Sequence, residues 1–119
     1  MSTLSVGTVK ATTLQTAAGV EVYTCKAWVS FNGTGTVAIR ASGNVSSITD
    51  NGAGDYTVNF TTALVDANFS FAVAAVGPGT DGYGGGRNNT TPTSSSIRIG
   101  VWSAPNLADT TYVTCTVFR

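Results

Sequence analysis

Histidine is absent from the 119 residues. That removes the commonest general base and the commonest imidazole metal ligand. Charge is nearly as scarce: six basic and six acidic residues make up 10% of the chain and cancel, against about 25% in an average soluble protein. A chain this neutral lacks the Lys/Arg clusters that phosphate backbones demand, which argues against a nucleic-acid partner. A charge-poor surface favours association with neighbours instead. No apolar run approaches the ~18 residues of a membrane-spanning helix, so no membrane insertion is expected. Met1 to Gly19 has neither the basic nor the apolar region of a secretory signal, which predicts synthesis in a cytoplasm. Cysteine is limited to Cys25 and Cys115. Cytoplasmic synthesis favours free thiols there over a disulfide joining the two ends.

What is present is alternation. Tyr23, Cys25, Ala27, Val29 and Phe31 alternate with Thr24, Lys26, Trp28 and Ser30, the period of two that gives a strand one apolar and one polar face. Asn32-Gly33 follows as a hairpin signal. Val37, Ile39 and Ala41 repeat the pattern, and so do Tyr56, Val58 and Phe60 after the Asp50-Asn51-Gly52-Ala53-Gly54 turn. Phe69, Phe71, Val73 and Ala75 form a further run, then Ile97, Ile99 and Val101, and finally Val113, Cys115 and Val117. About seven such runs separated by turn chemistry predict an all-β fold, an antiparallel β-sandwich of jelly-roll type. Val29, Phe31, Ile39, Tyr56, Phe60, Phe71, Ile99 and Val117 are the expected core. Residues 1–20 are rich in Thr, Ala and Ser and read as an extended arm, with Ala17-Ala18-Gly19 at its junction. Residues 21–119 are the β-domain.

Gly77 to Ser96 carries six glycines and two prolines without periodicity, and reads as a long loop. Its Gly77-Pro78-Gly79-Thr80-Asp81-Gly82 has the spacing of a dinucleotide motif but no helix after it, so no cofactor is expected. The acids mostly stand in turns, where short carboxylates cap backbone amides. Asp50, Asn51 and Asp55 around one turn offer the oxygens of a weak calcium site, but Asp-Asn-Gly is ordinarily a turn, and no metal site is assigned. No catalytic constellation is present.

Four large aromatics, Trp28, Trp102, Tyr112 and Phe118, fall out of phase with the core residues of their strands. Aromatics are enriched in interface cores, which makes these four candidates for subunit contacts. Tyr83, Arg87, Asn88 and Asn89 in the long loop have the composition of adaptable recognition loops and are candidates for contacting a ligand such as a glycan. Leu4 and Val6 are candidates for anchoring the arm, in apolar pockets of other chains.

The stretch from Lys26 to Val73, KAWVSFNGTGTVAIRASGNVSSITDNGAGDYTVNFTTALVDANFSFAV, resembles a module of small tail-fibre-like proteins of bacteriophages, aquatic ones especially, the match running from about Val22 to Val76. The resemblance lies in a Lys-Ala-Trp-Val-x-Phe strand, an Asn-Gly-Thr hairpin and a Gly-x-Tyr-x-Val-x-Phe strand in that order. The opening Met1 to Val9 is similar to openings of such proteins. The resemblance implies a non-enzymatic virion protein, a homotrimer whose arm joins other virion proteins of tail or capsid and whose knob attaches the particle to the host surface. A capsid decoration or cement protein is the alternative. Either would be made in the host cytoplasm and exposed on the virion.

Overall fold

The computed structural model describes residues 3, 5, 7, 8, 10, 12–77 and 82–119. The anchor candidates Leu4 and Val6 lie outside the described residues. The described chain is all β: β1 (Cys25–Asn32), β2 (Ala38–Gly43), β3 (Val45–Gly52), β4 (Asp55–Phe60), β5 (Ser70–Val76), β6 (Tyr83–Gly86), β7 (Ser96–Ser103), β8 (Asn106–Leu107) and β9 (Tyr112–Phe118). No helix among the described residues is long and apolar enough to cross a membrane.

All nine strands belong to one antiparallel sheet in the order β2-β1-β9-β5-β6-β7-β4-β3, with β8 beside β7. The alternating pattern suggests two stacked sheets; the structure has a single sheet curled nearly into a barrel. Both give each strand one apolar face, so alternation does not separate them. The outermost strands of the sheet, β2 and β3, are consecutive in the chain and only Asn44 separates them. Asn44 has φ of 54°, a left-handed conformation that Asn tolerates better than most residues. Its Nδ2 donates to the carbonyls of Lys26 at 3.1 Å and Thr62 at 3.0 Å, and its Oδ1 accepts from the Thr62 amide at 2.8 Å. One side chain thus ties the two ends of the sheet together.

The inward faces meet in one core. Val29, Phe31, Tyr56, Val58, Ile99, Val101, Val113, Cys115 and Val117 are its largest fully buried side chains, with Phe60 close behind and Phe71 packed against it. Phe31 and Tyr56 meet edge to face at 5.1 Å, as do Phe60 and Phe69 at 5.8 Å. Ile39 departs from the expected core. It is 36% exposed, because β2 is an outer strand bent by a bulge opposite Ser30 and Phe31 and five of its six residues face solvent. Cys25 is also out of the core: a bulge between Cys25 and Ala27 turns it to the surface.

The expected loop from Gly77 to Ser96 contains a strand. β6 links β5 to β7 and is glycine-rich because its neighbours fill its inner face. A Cβ at Gly84 would run into Val73, and one at Gly86 would press on the Phe71 ring. Glycine here carries no alternation to read.

The arm is not extended throughout. Val22 N–H donates to the Leu14 carbonyl at 2.7 Å and Thr16 N–H to the Val20 carbonyl at 2.8 Å, and Gln15 bridges Glu21. Ala17-Ala18-Gly19, expected as a junction, is the tip of this small hairpin.

Candidate functional site

Two outer surfaces of the sheet differ sharply in chemistry. The first is the outside of β2-β1-β9-β5. Its register lays Gly43, Trp28, Thr116 and Ala72 in one row, and Ala41, Ser30, Thr114 and Ala74 in the next. Tyr112 opposite Val76 and Phe118 opposite Ser70 stand at the two ends. The only charged residues in these four strands are Lys26 and Arg40, and the Arg40 guanidinium lies 4.0 Å over the Tyr112 ring. The centre is therefore small and uncharged, and large rings stand around it. Trp28, Tyr112, Phe118 and Val76 are 41%, 50%, 43% and 65% exposed. Trp28 folds over Gly43, where a Cβ would strike the indole.

Trp102 does not share this surface. It is on β7, separated from β9 by β5 and β6. Its indole lies half-buried over the outer faces of β7 and β6. A Cβ at Gly100 would come within 2.6 Å of its Cη2, and one at Gly85 within 3.9 Å of its Cζ3. Tyr83, half exposed, stands opposite Trp102 on β6. Of the four aromatics picked out in the sequence, three are brought together and the fourth joins the ligand-contact candidates instead.

Beside Trp102 is an ion cluster that alternation does not reveal. Asp55 on β4 is 6% exposed. Its Oδ1 accepts from Arg98 Nε at 2.8 Å, and its Oδ2 from Arg98 Nη2 at 2.9 Å and Arg87 Nε at 3.0 Å. Arg87 is a ligand-contact candidate; Asp55 and Arg98 are additions made by the fold. The Arg87 backbone N–H also donates to the Arg98 carbonyl at 3.1 Å. Asn88 and Asn89 form an exposed turn directly after Arg87. Opposite charges on β4 and β7, with two strands between them in sequence, become neighbours only through the β4–β7 register, which sets Asp55 against Gly100 and Thr57 against Arg98.

Asp55, one of the three residues considered for a calcium site, has its carboxylate committed to two arginines. Asp50 instead caps the Gly52 amide at 3.0 Å and Asn51 bonds Thr57 at 2.9 Å. The Arg98 hydrogen bonds hold the Asp55 carboxyl below the usual range against the opposing effect of burial, and the charge of Arg87 adds to them. A carboxylate whose folded pKa lies below its unfolded value of ~3.9 stabilises the fold above that pH. The contribution is lost as pH falls through the folded value. The melting-temperature gap between wild type and Asp55→Asn should therefore be widest near neutrality and shrink steadily below about pH 4. A gap that stays constant down to pH 2 would contradict the assignment.

At one end of the barrel Tyr56 ties three loops. Its hydroxyl has one proton for two acceptors, Asp109 Oδ1 at 2.7 Å and the Gly33 carbonyl at 2.9 Å. Asp109 Oδ1 also accepts from the Gly54 amide at 2.8 Å. Burial first, and the Asp109 carboxylate second, hold the phenol protonated well above the ordinary tyrosine range. This arrangement is structural: its polar atoms are spent on one another. Cys25 and Cys115 are free thiols. Burial pushes the Cys115 thiol up to about 12, which leaves it without the thiolate that reactive cysteines need.

At the other end, the arm hairpin faces the barrel across a cleft of about 510 Å³ lined by Thr12, Leu14, Val22, Tyr23, Lys26 and Arg119, among others. Arg119 itself is clamped by Asp66 at 2.9 Å. Leu14, Val20, Val22 and Tyr23 remain 46%, 61%, 40% and 78% exposed, so the hairpin leaves its apolar side chains unburied. No known family model, curated protein or solved structure matches this chain.

Proposed function

We propose that the chain is a structural component of a bacteriophage particle, a β-barrel knob that assembles as a homotrimer and presents its remaining surface to the host. The observation that carries this reading is the outer face of β2-β1-β9-β5: four strands with two charged residues, small side chains at the centre and Trp28, Tyr112 and Phe118 around them. Four strands at ~4.8 Å spacing and about seven residues at ~3.3 Å make a face about 19 by 23 Å in plan. That plan area of about 440 Å² is roughly half of the ~800 Å² per partner of a standard interface, and accessible area exceeds plan area. Ala72, Ala74, Thr114 and Thr116 let a second sheet approach closely, while the rings supply the apolar area that interface cores favour. A face turned toward a threefold axis meets both neighbours at once, and the same packing would shield β2, an outer strand whose only charge is Arg40. The exposed apolar side chains of the arm hairpin fit the expectation that the arm docks on other chains, and the resemblance to tail-fibre-like proteins supplies the biological setting.

Sedimentation equilibrium at micromolar concentration checks the assembly. Wild type should run as a trimer, and Thr114→Lys, which puts a charge at the centre of the face, should run as a monomer with an unchanged β-sheet spectrum. A wild-type chain that is monomeric across the concentration range would sink the reading.

A further inference from the structure

We infer that the outer face of β6, β7 and β4 binds an acidic sugar, a pyranose ring carrying a carboxylate, with Trp102 as its stacking platform and Arg87 as its anion partner. The inference rests on the attachment half of the proposed function and names its ligand class.

Three features of the face converge. The first is a rigid ring. Gly100 and Gly85 form a floor without side chains, and the benzene ring of the Trp102 indole lies against it, partly exposed. The ring is held by backbone, so presenting it to a ligand costs little further conformational entropy. A partly exposed aromatic ring with polar groups beside it suits a ligand that is apolar on one side and polar at its rim, as a pyranose ring is.

The second is unbalanced charge. Two guanidinium groups share the single Asp55 carboxylate, which leaves a local excess of one positive charge. Asp55 occupies Nε of Arg87 and both Nε and Nη2 of Arg98. The two Nη groups of Arg87 have no hydrogen-bond partner among the described residues. Arginine binds carboxylates bidentately through such a pair, and Asp55 has already fixed its plane.

The third is proximity. A methyl group built on Gly100 would lie within 2.6 Å of Trp102 Cη2 and 2.8 Å of Arg87 Cδ. The ring edge and the arginine stem therefore meet above the same glycine, so a ring stacked on Trp102 carries its carboxylate beside Arg87. Asn88, exposed in the turn that follows, offers amide groups to ring hydroxyls. A polyphosphate ligand calls for many cations in a row, and this face has one to spare.

The indole N–H signals of Trp28 and Trp102 in a proton–nitrogen correlation spectrum provide the test, with Trp28→Phe assigning them. Titration with a galacturonic acid hexamer should move the Trp102 signal saturably, while a neutral galactose hexamer should bind at least tenfold more weakly. Arg87→Gln should weaken binding of the acidic hexamer tenfold or more. Trp102→Ala should abolish binding, read by the chemical shifts of Arg87 and Asn88, and Trp102→Phe, which keeps a ring over Gly100, should retain weakened binding. An unmoved Trp102 signal, equal binding of the neutral hexamer, or tighter binding of a thymidine hexanucleotide would each overturn the inference. Sedimentation reads the assembly separately: a trimer that fails to bind the acidic hexamer defeats this inference alone, and a monomer that binds it defeats the assembly alone.

Discussion

Gly54→Ala should destabilise the protein by upwards of about 4 kcal/mol, in the range reserved for a few severe mechanisms, while Gly35→Ala should cost only about 1–2 kcal/mol. The two glycines have nearly the same backbone, φ of 62° and 58°. Both substitutions therefore carry the cost of a side chain in the left-handed region. They differ in surroundings. Nothing lies within 4 Å of a Cβ at Gly35, but one at Gly54 would collide with the Val101 carbonyl and with the Ala108 amide and carbonyl. Those atoms are backbone and cannot swing aside as a side chain does. Two hydrogen bonds would also be disturbed, Gly54 N–H to Asp109 and Val101 N–H to the Gly54 carbonyl at 2.8 Å. Urea unfolding of the two variants side by side makes the comparison. Equal losses would show that the turn between β3 and β4 can move away from β7 and β8.

Tyr56→Ala should cost roughly 3–5 kcal/mol, as other large aromatic truncations do, and Tyr56→Phe about 1–3 kcal/mol. The ring is fully buried against Phe31, so the alanine variant opens a cavity. The phenylalanine variant keeps the packing and removes only the hydroxyl, leaving the buried Gly33 carbonyl without that donor. The difference between the two separates packing from hydrogen bonding. A Tyr56→Phe variant as stable as wild type would mean that water or the Thr34 region replaces the lost bond at no cost.

The fold class was legible because alternation is a local property. Each buried Val, Ile or Phe in β1, β4, β7 and β9 stands two residues from the next, and no longer-range information was needed. That those strands make one curled sheet and not two depends on β6, which pairs with both β5 and β7, and the ends of that sheet are tied at Asn44. Its role is legible only when Lys26 and Thr62, eighteen residues away on either side, come within reach. The strand β6 was hidden because Tyr83-Gly84-Gly85-Gly86 has no apolar face of its own; Val73 and Phe71 from β5 provide it. Ile39 kept the right phase and the wrong environment, since phase says which side a residue points to and not whether anything covers that side.

The candidate surfaces were legible to a similar degree. Trp28, Tyr112 and Phe118 were identifiable as outward residues from phase alone. Trp102 was too, but its separation from the others is a matter of strand order, which a single sequence does not contain. Arg87 was visible as a polar residue in a glycine-rich stretch. Its pairing with Asp55 required the β4–β7 register, and Asp55 by itself read as a turn residue like Asp50, Asp66 and Asp109. Those three do cap amides, of Gly52, Asn68 and Gly54; Asp55 is the exception because it stands on the strand and not in the turn.

The central claim is that copies of this chain pack through the outside of β2-β1-β9-β5. Hydroxyl-radical footprinting of the full chain, compared between nanomolar and tens of micromolar concentration, tests it most directly. The account predicts that Trp28, Tyr112 and Phe118 become protected together as concentration rises, while Trp102 on the opposite surface stays equally reactive. Unchanged labelling of all three, or protection of Trp102 in their place, would contradict it.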